Sequence, residues 1–206
     1  MDAADATYEY SMNREPALEL DRMLSDVLWA KDRGLGPRDL VPMLERLIRC
    51  APRGSDAALF AQRELAELIV ETKPWRAARL AREVTIHAED DRAWALLGLS
   101  HTLLGHYKSA RKAYLRALQL HPGCPFYSHN LGHLLDVGLK RSREALPHLR
   151  LAYRTLPRER EIAASYALAL ARVGRFDEAR GIVERALGEP AERAEAMLTS
   201  WIEHVR

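Results

Sequence analysis

The chain repeats itself, and that limits what it can become. Leu97-Gly98 returns 34 residues later as Leu131-Gly132. Ala110, Tyr114 and Ala117 return after 35 residues as Ala145, Leu149 and Ala152, and after a further 34 as Ala179, Val183 and Ala186. GHYKSA at 105–110 comes back as GRFDEA at 174–179. A period of this size belongs to architectures in which one supersecondary unit stacks on the next, because a single unit cannot bury its apolar face alone. The odd residue between the two intervals is expected in the turn around Gly138-Leu139-Lys140-Arg141.

Within each period, apolar residues fall at i, i+3, i+4 and i+7, the pattern of two amphipathic helices. Gly98 and Gly132 lie inside the first helix of their units, where glycine costs up to ~1 kcal/mol against alanine. That cost implies a second helix too close to leave room for a side chain, and Ala110, Ala117, Ala145 and Ala152 are expected to supply the matching small surface. Gly105 and Gly174 suit left-handed helix ends.

These residues resemble the tetratricopeptide repeat family. The unit 91–124 carries Trp94, Leu97, Gly98, Gly105, Tyr107, Ala110, Tyr114, Ala117 and Pro122, with His101 where the family usually has an aromatic. The unit 125–159 keeps Leu131, Gly132, Ala145, Leu149, Ala152 and Pro157, with Ser128 in place of the tryptophan. The unit 160–193 keeps Gly174, Phe176, Ala179 and Ala186, with Ala167 in place of the glycine. The resemblance implies an all-α fold: a right-handed α-solenoid of helix-turn-helix repeats, with N-terminal helices and a C-terminal capping helix.

The flanks fit that arrangement. Residues 1–14 are expected to be a flexible N-terminus, and 15–90 to form helices that include a degenerate repeat at about 56–71 and 75–88. Breaks are expected at Gly34-Leu35-Gly36-Pro37 and at Ala51–Asp56, with Ser55 or Asp56 as an N-cap. Over 190–206, Ala194, Met197, Leu198, Trp201, Ile202 and Val205 make one apolar stripe, which suits a helix capping the array.

Charge is distributed unevenly. Residues 1–91 hold 13 Lys/Arg against 18 Asp/Glu, whereas 92–158 hold 11 basic residues and two acids, Asp136 and Glu144. A basic field of this kind steers acidic partners. No apolar run approaches the ~20 residues of a membrane-crossing helix. The acidic start MDAADATYEY lacks the apolar core of a secretory signal. With only Cys50 and Cys124, a disulfide framework is not expected, and the reading is a reduced, cytoplasmic protein.

The family resemblance implies that the first helix of each unit lines a concave groove and the second forms the convex back. On that basis the groove carries Arg92 and Leu99 from the first unit, Phe126, His129, Asn130 and His133 from the second, and Leu168 and Arg172 from the third. Such a mixture of apolar anchors and donors suits a peptide or helix segment of another protein. Some family members clamp a C-terminal carboxylate. Here Asn130 matches one clamp position, while Ala95, Leu99 and Ala164 occupy others, so that function is disfavoured. The basic residues Lys108, Arg111, Lys112, Arg116, Arg143, Arg150 and Arg154 fall on second helices and predict a convex stripe.

His129 and His133 have a metal-compatible spacing but lack the glutamate of a zinc-peptidase helix. No metal, no cofactor and no catalytic residue is expected; there is no phosphate loop, dinucleotide fingerprint or nucleophile elbow. The expected role is therefore a non-enzymatic interaction module, an adaptor or scaffold of bacterial type. The alternatives are a secretion-type chaperone for one client, an acidic-partner or nucleic-acid binder using the stripe, and a self-assembling homo-oligomer. Nucleic acid is disfavoured, since no aromatic residues are interleaved with the basic ones.

Overall fold

The computed structural model describes the backbone of residues 3–203 and the side chains of 18–203. The mobility expected for 1–14 therefore concerns residues whose side chains lie outside the described ones. Among the described residues there are helices and no strands, divided between two compact units, residues 1–88 and 89–206.

The first unit contains α1 (Ala3–Asp32), α2 (Pro37–Cys50), α3 (Asp56–Ile69) and α4 (Pro74–His87). Each helix packs on the next. Pro37 and Pro74 open α2 and α4, where the missing N–H has no helical partner to lose. Ser55 caps α3, its hydroxyl accepting from the Ala58 N–H at 3.3 Å. Leu44, Leu47, Leu65, Ala77 and Val84 form the interior. Ion pairs Lys31–Glu64 and Arg76–Glu45 tie α1 to α3 and α4 to α2.

The second unit contains α5 (Asp91–Leu103), α6 (Tyr107–Leu120), α7 (Pro125–His133), α8 (Ser142–Thr155), α9 (Arg160–Arg172), α10 (Phe176–Leu187) and α11 (Ala191–Glu203). Helices α5 with α6, α7 with α8 and α9 with α10 make three successive hairpins, as the repeat requires. Asp90 caps α5 by accepting from the Ala93 N–H at 2.8 Å. The turns after α5 and α9 pass through left-handed glycines, Gly105 at φ +73° and Gly174 at φ +87°. Helix α11 covers the last hairpin with Ala194 and Leu198 buried and Met197, Trp201 and Ile202 packed beside them. Val205, placed by the sequence on the same stripe, lies outside the described residues.

Two details differ from the sequence reading. The glycines do mark close approach, but the atoms that fill the notches belong to Tyr114 and Leu149. A Cβ at position 98 would meet the Tyr114 ring at 2.7 Å, and one at position 132 would meet Leu149 Cγ at 2.6 Å. The alanines at 110, 117, 145 and 152 are fully buried but are not the nearest neighbours there.

The extra residue also sits earlier than expected. Helix α7 runs into a single π turn, Leu134–Gly138, in which the Leu139 N–H bonds back five residues to the Leu134 carbonyl at 3.0 Å. That wider turn takes up the added residue before the loop begins. Lys140 then occupies the left-handed position at φ +57° that glycine holds in the other two hairpins.

Candidate binding surfaces

The groove positions expected from the sequence lie on α5, α7 and α9. On α7, Phe126, His129, Asn130 and His133 follow one another at helical spacing and so share a face. Phe126 is 59% exposed, large for an aromatic with no evident packing role. Asn130, Leu99, Leu168 and Arg172 are half-buried, and Arg92 is exposed. Leu99 rests against the hydrophobic core of the unit.

Polar contacts join neighbouring first helices along this face. His129 Nε2 lies 2.9 Å from Ser165 Oγ, and His133 Nδ1 lies 3.4 Å from the same hydroxyl. One serine on α9 thus sits between two imidazoles of α7, whose ring centroids are 6.0 Å apart. Burial pushes the His129 imidazole below its ordinary value, the charge of His133 adds to this, and Glu161 and Asn130 oppose it. His133 is also held low, by desolvation first, with Asp136 and Glu161 opposing. Both rings therefore favour the neutral form, in which each offers one donor and one acceptor.

Arg172, expected among the groove residues, also holds an ion pair across the hairpins. Its Nη1 donates to Asp136 Oδ2 in an ion pair whose carboxylate side chain is 2% exposed. Between α5 and α7, the Tyr127 hydroxyl donates to Asp91 Oδ2 at 2.8 Å, and His121 Nδ1 lies 3.1 Å from the same oxygen. Burial alone would raise the Asp91 carboxyl, but these bonds outweigh it and hold it below the usual range. Ser165, Asp136, Asp91 and Tyr127 were not among the expected site residues.

An enzyme would need more than this. A serine hydroxyl 2.9 Å from an imidazole meets the first requirement of an activated nucleophile. Yet the other side chain bonded to His129 is Asn130, a neutral amide in place of an orienting carboxylate.

The basic residues expected on the second helices are there. Lys108, Arg111, Lys112 and Arg116 lie on α6, and Arg143, Arg150 and Arg154 on α8. All are exposed except Arg116, which is half-buried and ion-paired with Glu89. Cys50 is exposed at the end of α2, and Cys124 is buried just before α7. No described helix is long and apolar enough to cross a membrane.

Comparison with known proteins agrees with this architecture. The tetratricopeptide repeat family profile matches residues 91–124. No curated protein matches the chain in sequence. Among solved structures the chain is similar to MamA, at 18% identity over 77% of this chain and 90% of that one, with a TM-score of 0.63. It is similar also to a MamA RS-1 double mutant, at 15% identity over 85% and 96%, with a TM-score of 0.68. A third is YrrB, described as a TPR protein with an unusual peptide-binding site, at 21% identity over 70% and 78%, with a TM-score of 0.58. At these identities the likeness is one of fold. One repeat, residues 91–124, matches the tetratricopeptide profile in sequence, and the helical hairpins around it share the fold of these solved structures.

Proposed function

We propose that the chain is a non-enzymatic protein–protein interaction module, an adaptor or scaffold that holds a segment of a partner on the face of α5, α7 and α9. The observation that carries this reading is the α7 surface. Exposed Phe126 offers an apolar anchor, and one and two turns further on His129 and His133 present neutral imidazoles bridged by Ser165. A large exposed aromatic beside a few fixed polar groups is what a peptide or helix with one apolar anchor needs. Arg92 and Leu99 on one side, with Asn130 and Leu168 on the other, extend the same face. Arg172 acts within it by holding Asp136, not by meeting the partner directly. The likeness to YrrB, a TPR protein with a peptide-binding site, supports this reading by analogy of fold.

The basic residues of α6 and α8 favour an acidic partner at a second face, and a cytoplasmic setting in a bacterial cell accords with the composition. Capture from nuclease-treated lysate, read by mass spectrometry, tests the main reading. Phe126→Ala with His133→Glu should abolish capture of the partner without changing helicity. Retained capture would sink the proposal for this face. Capture of the chain by itself alone would turn the reading to self-assembly.

A further inference from the structure

Elsewhere on the second unit, α8, α9 and α10 line an open cavity of about 450 Å³ that shares no residue with the α7 surface. Its walls are arginine-rich: Arg150 and Arg154 stand one turn apart on α8, and Arg185 enters from α10. Tyr153 and Tyr166, with ring centroids 5.6 Å apart, line it between them. Arg150 and Arg175 both draw the Tyr166 phenol down against the burial that raises it, so their positive field reaches the cavity wall.

The charges do not cancel. Arg175 is satisfied by a two-pronged contact with Glu178, both bonds at 2.6 Å, and Asp177 is paired with Arg180 at 3.1 Å. Among the described residues, Arg150, Arg154 and Arg185 make no ion pair or hydrogen bond. The walls carry four guanidiniums against two carboxylates, and the Arg150 charge also reaches Glu178, leaving an excess of positive charge that one further anion would offset.

One glycine of α10 lies against one of these arginines. Gly181 lies inside α10, where glycine costs up to ~1 kcal/mol against alanine. A Cβ there would stand 3.0 Å from Arg185 Nη1 and 3.7 Å from its Cζ. A side chain there would make the Arg185 guanidinium give by a few tenths of an ångström beside the cavity.

We infer that this cavity is a binding site for a phosphoryl group, carried on a phosphorylated side chain of a partner protein. One carboxylate is satisfied by a single arginine fork, whereas a phosphoryl dianion brings three acceptor oxygens and a charge of about −1.5 to −2. This excess of guanidiniums matches the second. The rim carboxylates Asp177 and Glu178 oppose an extended polyanion such as a nucleic-acid backbone but leave room for one compact anion. The site stands independently of the α7 surface, and either can fail without the other.

The test is calorimetric titration of the full chain with acetyl-phosphoserine N-methylamide, beside the unphosphorylated amide, inorganic phosphate and a single-stranded oligonucleotide. The phosphoserine compound should bind, and Arg154→Gln with Arg185→Gln should weaken it by about tenfold or more, as loss of charge-assisted hydrogen bonds implies. Gly181→Ala makes a sharper probe. It should raise the melting temperature, because alanine favours the helix, while lowering affinity for the phosphoserine compound by displacing Arg185. The proposal is overturned by no binding at tens of millimolar, by equal binding of the unphosphorylated amide, or by indifference to these substitutions. Inorganic phosphate binding as tightly as the amide would mean a free-phosphate site. Tighter binding of the oligonucleotide through the same arginines would mean a nucleic-acid site, and either result would overturn the partner side chain as the source.

Discussion

The ring of Tyr114 occupies the space in which a side chain at Gly98 would stand, with Cδ1 and Cε1 each 2.7 Å from the Cβ that glycine lacks. The next hairpin repeats the relationship with Gly132 and Leu149. The third carries Ala167 and Val183 at the same two positions, both fully buried. As the second-helix residue shrinks, the first-helix residue is allowed to grow. Gly98→Ala is therefore expected to destabilise by about 1–3 kcal/mol through overpacking. Gly132→Ala should lie toward the upper end of that range, since its Cβ would also come within 3.2 Å of the Leu149 main-chain nitrogen. Adding Leu149→Val, which copies the pair from the third hairpin, should recover part of the loss. Urea unfolding of Gly132→Ala, of Leu149→Val and of the double variant measures the coupling; additive losses would disprove it.

The repeat made the hairpins and their close approach legible, because glycine inside a helix is costly unless a neighbour needs the room. It did not reveal which groups meet across hairpins. Asp91 to Tyr127, His129 to Ser165 and Asp136 to Arg172 are each 36 residues apart. That offset is one or two more than the period, so aligning equivalent positions never places these partners side by side. Ser165 lies among alanines and leucines and Asp136 within an apolar run, and neither stands out before the helices are stacked. The π turn was hidden for another reason. An added residue reads as a longer loop unless main-chain bonding shows that the helix has absorbed it.

The Asp136–Arg172 pair should be costly to break on one side only. The carboxylate is buried, and the pair leaves Asp136 Oδ1 and Arg172 Nη2 without a hydrogen bond in the protein. Removing one partner strands the other charge in a low-dielectric setting, so Asp136→Leu is expected to destabilise by about 3–5 kcal/mol. Asp136→Leu with Arg172→Met should be much milder, because an apolar pair of similar volume has no ion to desolvate. If the double variant unfolds as easily as the single one in urea, the pair is not the reason for the loss.

Lys140 is strained where its two counterparts are not. It takes φ +57° with a Cβ, while Gly105 and Gly174 take the same turn without one. Left-handed backbone costs a residue with a Cβ about 1–2 kcal/mol. Comparing Lys140→Gly with Lys140→Ala removes the lysine side chain from both sides of the comparison. The glycine variant should be the more stable by about 1 kcal/mol, read as a higher melting temperature. Equal melting would show that the π turn relieves the strain.

Acid should weaken the second unit through His129 before the carboxylates titrate. The imidazole is buried against α9, facing His133, Ser165 and Glu161, and its pKa lies below the ordinary 6.5. In the unfolded chain it takes a proton as the pH falls through 6.5, while in the folded chain it stays neutral to lower pH. The stability contributed by the neutral ring is thus complete above pH 6.5 and declines as the pH falls from there through the folded value. For one group the slope cannot exceed about 1.4 kcal/mol per pH unit. His133 and His148, also lowered by burial, act in the same direction. Asp91, held below 3.8, adds its loss only in stronger acid. Urea unfolding between pH 7 and pH 5 should show falling stability, with a shallower slope in His129→Gln. A slope unchanged by that substitution would mean that the buried ring accepts its proton in the folded chain as readily as in the unfolded one.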